Sequence, residues 1–272
     1  MANTDECYIA VLHLVKEAGF VVKEKINQPQ DPMTKSSEID LVTEWDQKVE
    51  KLLIDGISSK FPDHKFIGEE GTSLGNKAEL TNAPTWIIDP IDGTMNFVHA
   101  FPHTCISIAL LVNKITEIGV VYNPISEQLF TARRGQGAFL NGAPINVSDV
   151  KELSKALLMM EMGTSRDPEK IKVVLENTNK LITKVQGTRS LGSAALNMCM
   201  VALGGADADF EFGIHSWDVA AGELIVKEAG GVCIDPAGGP FDLNSRRVLC
   251  ASTMELAQEL SKVLTQYYPE RD

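Results

Sequence analysis

The chain lacks the features that mark several common protein classes. Its five cysteines, at positions 7, 105, 199, 233 and 250, include no C-x-x-C pair, which argues against a zinc cluster or a disulfide framework and suits a reducing compartment. Basic residues are the scarcer sign. Against 37 Asp+Glu stand 25 Lys+Arg, a formal net charge of −12 that repels nucleic acid and acidic membranes and suits a protein that attracts cations. Long apolar runs are missing too: CISIALLV is among the longest and falls well short of the roughly 18 residues a membrane span needs. The opening MANTDECY carries two acids and no basic stretch, so a cytoplasmic protein is expected, in which the sequon Asn146-Val147-Ser148 stays unmodified. No internal repeat or low-complexity tract is present.

What is there is an ordinary globular composition, 44% hydrophobic and 23% charged, enough for one large domain or two lobes sharing a core. Residues 5–26 place Ile9, Leu12, Val15 and Ala18 at helical spacing, and a second helical face, Trp45, Val49, Leu52, Leu53 and Ile57, ends at Pro62. The period then changes to that of strands: KFIG, TWIID, TCISIALLV, ITEIGVVY, QLFTA and GAFLNG read as an antiparallel meander with turns at Asn113-Lys114 and Arg133-Arg134-Gly135. From about residue 146 helices and strands alternate. ALLMME, TKVQG, ADADFEF and RRVLCAS read as strands; PEKIKVVLENTNKL, SAALNMCMVALGG and SWDVAAGELIVKEAGG read as helices. A last helix is expected from about 254, opened by a capping box at Ser252-Thr253-Met254-Glu255. One domain spanning 1–272 is expected, with an α+β lobe over 1–145, an α/β lobe over 146–272 and a cleft between them.

The chemistry concentrates in WIIDPIDGTMNF, residues 86–97. A buried strand avoids unpaired carboxylates, yet this one ends in Asp89 and Asp92. Pro90 biases Asp89 toward extended backbone, placing it at a strand tip; a turn is expected to follow, returning Asp92 and leaving the Ile91 carbonyl free. Gly93 allows close approach to the backbone, and Thr94 to Phe97 could open a helix whose N–H groups favour an anion. Carboxylates and a carbonyl beside N–H donors suit Mg²⁺ and a phosphate ester. Taken singly, Glu69-Glu70 in FIGEEG reads equally as a solvated turn, Asp218 in HSWDVAAGEL as a helix-start acid, and Asp46 in EWDQK likewise.

Together these pieces resemble the inositol monophosphatase family. D-P-I-D-G-T followed by two variable residues and an aromatic matches its first signature, Trp86 to Phe97, and W-D-x-A-A-G with a closing Gly-Gly matches its second, Trp217 to Gly231. G-E-E upstream and the phrases VVYNP, NMCMVALGGADA and GGPFDL extend the likeness over nearly the whole chain. The resemblance implies a layered sandwich of alternating α-β-α-β-α layers and a Mg²⁺-dependent phosphomonoesterase releasing inositol and phosphate. It also implies two or three Mg²⁺ ions per subunit, lithium sensitivity and a homodimer. By the same likeness Glu69, Asp89 and the Ile91 carbonyl would hold a first ion, and Asp89, Asp92 and Asp218 a second. Glu69 and Thr94 would orient the attacking water, with Thr94 tied to Asp46. Gly93 and Thr94 would offer N–H groups to the phosphate, while Asp92, Asp218, Ser165, the Ala194 N–H and Glu211 would meet the substrate. Lys35 resembles a loop lysine that the family keeps near the metals.

Departures are few: Met95 stands where many relatives have a second threonine, and Glu44-Trp45 where small residues are common. The five histidines match no catalytic spacing, and His215, near Asp218, reads as structural. Two rivals stay open. One is a sister phosphatase acting on a bisphosphate nucleotide or fructose bisphosphate, which shares the D-P-x-D-G-[ST] core. The other is a non-catalytic cation-binding protein, which would need the carboxylates but not Thr94, Asp46 or a water-orienting Glu69.

Overall fold

A computed structural model describes residues 3–28, 32–34, 41–73, 75 and 79–272, and structural statements below concern these residues. Lys35 lies outside them. Five layers stack in the order helix, sheet, helix, sheet, helix.

The outer layer holds α1 (Thr4–Lys25) and α2 (Glu44–Lys60), preceded by the short pair β1 (Met33–Thr34) and β2 (Leu41–Val42). Asn3 caps α1 by accepting the Glu6 N–H, and Thr43 caps α2. Their apolar stripes, Val11, Val15, Ala18 and Val22 on one and Val49, Leu53 and Ile57 on the other, cover one face of a seven-stranded sheet.

That sheet runs β3 (Lys65–Gly68), β4 (Thr85–Asp92), β5 (Cys105–Val112), β6 (Ile115–Asn123), β7 (Gln128–Arg133), β8 (Ala138–Leu140) and β9 (Ala143–Ile145), in sequence order across the sheet. Two short helices, α3 (Glu69–Ser73) and α4 (Thr94–Val98), follow β3 and β4. Side chains alternate between faces with period two, so Trp86 and Ile88 of β4 meet the outer helices while Ile87 faces the molecule's centre.

The middle layer is α6 (Ala194–Ala202) and α7 (Ser216–Glu228), buried between the two sheets, which accounts for their near-unbroken apolar and small residues. Gly119 of β6 shows why the residues are small: a Cβ there would lie 2.7 Å from the Ala221 carbonyl oxygen, so only glycine lets the α7 backbone sit this close to the sheet.

The second sheet contains β10 (Leu157–Met160), β11 (Gly187–Arg189), β12 (Ala208–Phe212), β13 (Val232–Ile234) and β14 (Arg247–Ala251), in the order β11-β10-β12-β14-β13. Its outer face packs Leu158, Phe210 and Leu249 on α5 (Pro168–Leu181) and α8 (Met254–Val263) through Val173, Leu181, Leu256 and Leu260. The expected layering is therefore observed. The central cluster draws residues from both sheets and both middle helices.

Several sequence expectations are corrected in detail. The first sheet is not wholly an antiparallel meander: β3 runs parallel to β4, pairing Gly68 with Ile88. β4 does not stop at Asp89 but continues to Asp92 with a register shift between the two aspartates, so a bulge stands where a turn is expected. TKVQG is not a strand. The chain is still turning after α5, with Lys184 and Val185 N–H groups bonded to the Leu181 carbonyl, and joins the sheet only at Gly187, opposite Leu157. The cap of α8 is Thr253, whose hydroxyl oxygen accepts the Leu256 N–H; the hydroxyls of Ser252 and Thr253 both donate to the Val150 carbonyl. β9 and β13, three residues each, carry too little pattern to be read; β9 returns from β8 through Asn141-Gly142, both at positive φ.

Candidate active site

The parallel pairing of β3 with β4 carries both strands to one sheet edge, which sets Glu69, just past Gly68, beside Asp89, just past Ile88. The two carboxyls share a hydrogen bond. The start of α3 is in turn held by Glu50 of α2, whose carboxylate accepts the Glu70 and Gly71 N–H groups at 2.9 Å each. Asp92, three residues on, is bound by the start of α6. Its Oδ2 accepts the Ser193 hydroxyl at 2.6 Å and the Ala195 N–H at 2.8 Å, with the Cys105 thiol at 3.6 Å. Asp218, in the first turn of α7, accepts the His215 N–H at 2.6 Å.

These elements bring Asp89, Asp92 and Asp218 together, with one carboxylate oxygen from each within 4.8 Å of the others. Burial and the neighbouring charges of Glu69, Asp92 and Asp218 hold the Asp89 carboxyl well above the ordinary range. Burial also lifts Asp92 to about 6, although the Ser193, Ala195 and Cys105 donors pull the other way. Asp218 rises to about 7, from burial and then the charge of Asp92, against the His215 N–H. Crowded oxygen ligands that repel one another when ionised fit a hard divalent cation, which removes the repulsion.

Beside the carboxylates lies a hydroxyl network. Thr94 can donate to Asp46 Oδ1 at 3.2 Å or to the Ile91 carbonyl at 3.1 Å. The Ile91 carbonyl therefore has this hydroxyl as a neighbour and is not wholly free. Asp46 is fully buried, and its Oδ2 accepts both the N–H and the hydroxyl of Thr43, at 2.8 and 2.5 Å. Gly93 begins α4 at φ +85°, and a Cβ there would lie 2.9 Å from the Gly192 carbonyl oxygen. Asn96 locks the same junction by donating to the His103 and Leu191 carbonyls at 2.7 Å each.

The remaining expected residues come from the second half of the chain. Glu211, 7% exposed, is the next-to-last residue of β12, and Ala194 opens α6. Ser165 lies in the loop before α5, where its hydroxyl oxygen accepts the Asp167 N–H at 3.2 Å. Trp45 packs against the outer-helix core, with the ammonium groups of Lys48 and Lys25 4.0 and 5.0 Å from its ring. His215 stacks on Trp217 and contacts Asp272 and Arg246 through its two ring nitrogens. Sequence reasoning missed Ser193, Ala195 and Glu161. The last accepts the N–H groups of Leu191 and Gly192 and the Asn197 amide at 2.7 to 2.9 Å, fixing the loop that leads into α6. Ser193 carried a signal, a serine immediately before an apolar helix.

The model of the inositol monophosphatase family matches residues 3–268. The chain belongs to this family. It is 52% identical to human inositol monophosphatase 1 over 268 residues, 98% of this chain and 97% of that protein. It is 45% identical to rat inositol monophosphatase 2 over 269 residues, 98% and 93% of the two chains. Among solved structures, a Thermotoga maritima IMPase superposes with a TM-score of 0.85 at 32% identity, covering 95% of this chain and 96% of its own. Family membership and fold thus agree with the resemblance that the two signatures carry, and the family is metal-dependent.

Proposed function

We propose that this chain is a phosphomonoesterase that hydrolyses inositol monophosphates to inositol and inorganic phosphate, with residues 1–145 and 146–272 acting as one catalytic unit. The observation that carries the reading is the convergence of Asp89, Asp92 and Asp218 within 4.8 Å beside the Thr94–Asp46 hydrogen bond. The substrate class is supported by the names of the human and rat relatives.

In this reading Glu69, Asp89, the Ile91 carbonyl, Asp92 and Asp218 hold Mg²⁺ ions, two or three per subunit. Bound there, the ions supply positive charge that lowers the pKa of water and screens the phosphate. Glu69 orients the attacking water and accepts its proton. Thr94, whose own proton goes to Asp46 or the Ile91 carbonyl, turns its oxygen lone pairs toward that water; Thr43 anchors Asp46 so that this polarity holds. Water adds to phosphorus as the bond to the inositol oxygen breaks, and the leaving oxygen takes a proton from solvent. The Gly93 and Thr94 N–H groups receive phosphate oxygens. Asp92, Asp218, Ser165, the Ala194 N–H and Glu211 pair with the leaving group and its hydroxyls.

The test is phosphate release from inositol 1-phosphate beside fructose 1,6-bisphosphate and adenosine 3′,5′-bisphosphate, with Mg²⁺ and with chelator. Mg²⁺-dependent preference for the inositol ester is expected. Preference for a bisphosphate would move the chain to a sister activity, and no release from any ester would leave a non-catalytic cation-binding protein. The reading extends to inhibition by lithium, a homodimer and a cytoplasmic location, checked by lithium titration, light scattering and cell fractionation. No described helix is long and apolar enough to cross a membrane.

A further inference from the structure

A cavity of about 20 Å³ opens between the loop before α5, α5 itself and the end of β12, and its polar lining comes from Glu161, Lys170, Asn177 and Glu211. Two of these are already paired. Glu161 is bound by the Leu191, Gly192 and Asn197 donors, and the Asn177 amide exchanges bonds of 3.0 and 2.7 Å with the Thr265 backbone. Among the described residues Glu211 accepts one weak hydrogen bond, from the Asn197 amide at 3.4 Å. Lys170 has none: it is 5% exposed, and its ammonium forms no hydrogen bond or ion pair to any described residue. The amine is walled in by two backbones, since a Cβ on Gly163 would lie 2.6 Å from Nζ and one on Gly213 3.1 Å from it.

No hydrogen bond to a described residue holds the lysine here. An ammonium held largely out of water without a hydrogen-bond partner is unfavourable. Lys170 also stands in the first turn of α5, where the helix dipole disfavours a cation. Burial pulls the amine below its ordinary pKa; the Glu211 and Asp218 charges oppose that shift, and the Arg246 and Arg166 charges add to it. A position that breaks local rules in this way, at the rim of the carboxylate site, signals a ligand.

The surroundings select the kind of ligand. The cavity has room for about one oxygen atom with its hydrogen. A second phosphate is too large and would face the Glu211 and Glu161 carboxylates. A hydroxyl can accept from Lys170 and donate to Glu211, completing both. We propose that Lys170 and Glu211 form a donor–acceptor pair that reads one hydroxyl of the polyol leaving group, making Lys170 a specificity-determining residue. The inference rests on the sugar-alcohol ester reading given above.

The test compares wild type, Lys170→Met and Lys170→Gln on inositol 1-phosphate and on p-nitrophenyl phosphate, an ester without ring hydroxyls, with thermal melts of each protein. For Lys170→Met, kcat/KM on the inositol ester should fall about 10- to 100-fold, mainly through KM, with less than about 3-fold change on the aryl ester. Lys170→Gln, which keeps a donor, should lose less. Neither variant should melt below wild type, because each removes a buried charge. Equal losses on both esters with a lowered Tm would make the lysine structural, and unchanged inositol kinetics in Lys170→Met would remove it from recognition; either overturns the inference. So would a wild-type preference for a bisphosphate that Lys170→Met abolishes, since the amine would then be reading an anion. Wild type that cleaves p-nitrophenyl phosphate but no inositol ester would instead overturn the substrate reading itself, an outcome visible before any variant is compared.

Discussion

The two sides of the site are built on opposite terms. On the carboxylate side, Asp46, Asp92 and Asp218 each accept at least one short hydrogen bond from a residue fixed in a sheet or helix start, so their directions are set before any ligand arrives. On the side formed by α5, α6 and β12, polar side chains are buried with little to bond: Lys170 and Glu211, beside the wholly buried Asn197 carbonyl oxygen and both oxygens of Asp209. Chemistry that transfers phosphate needs charges held still, whereas discrimination among polyols needs groups that remain unpaired until the right hydroxyl fills them.

The comparison can be broken most severely at the carboxylates. Asp218→Asn removes a ligand charge without changing shape, and kcat/KM for phosphate release should fall on the order of 10³-fold, with the fold retained by circular dichroism. Retention of even a tenth of the activity would put Asp218 in the role of a helix cap alone. Thr94→Ala should lose about 10²-fold, mostly in kcat, because the phosphate and metal groups stay while the water loses its guide. If KM rather than kcat moves, Thr94 binds substrate and does not orient water.

Smaller effects sharpen the contrast. Ser193→Ala leaves every expected ligand in place but removes the shortest of the bonds that hold Asp92 Oδ2, and the Mg²⁺ concentration for half-maximal rate should rise about 10-fold. An unchanged Mg²⁺ dependence would mean the Ala195 N–H suffices.

The pH dependence of the metal-free protein follows from the raised carboxyls. Asp92 and Asp218 move from 3.8 to about 6 and about 7 on folding. The unfolded chain therefore ionises first, so stability is present in full below about 3.8 and is lost as pH rises through about 6 to 7. Tm without metal should fall over this window, and the rise on adding Mg²⁺ should be larger near pH 8 than near pH 5. A Mg²⁺ effect independent of pH would show that these carboxyls do not give up protons to the ion.

Asp209 offers the mildest probe. It sits fully buried between Met159 and Cys250 on the inner face of the second sheet, its carboxyl held well above its ordinary range by burial, then by Glu161 and Asp92. By the same sign, Asp209→Asn should raise Tm by a few degrees near pH 8 and leave it unchanged near pH 3.5. A gain at both values would point to packing and not to the proton.

Legibility also divides between the two sides. Asp89, Asp92, Gly93 and Thr94 fall within six consecutive residues, so local backbone rules suffice to group them. Glu69 and Asp218 needed the family signatures, since an acid at a strand end or helix start has an adequate local reason to be there. Ser193, Ala195, Glu161 and Lys170 carried no grouping signal. Lys170 in particular lies in an amphipathic helix whose polar positions ordinarily face water, and only its enclosure by Gly163 and Gly213 distinguishes it.

By itself the sequence determined the order and kind of nearly every long element, because periodicity and capping are properties of neighbours along the chain. It also determined the donor chemistry, a set of oxygens on one short acidic stretch. Tertiary structure alone decided that β3 runs parallel to β4, setting Glu69 against Asp89, that the start of α6 holds Asp92, and that a lysine of α5 is buried facing Glu211. Those facts depend on which sheet edge and which helix start meet across more than a hundred residues, a choice made by packing and burial that no local stretch of chain encodes.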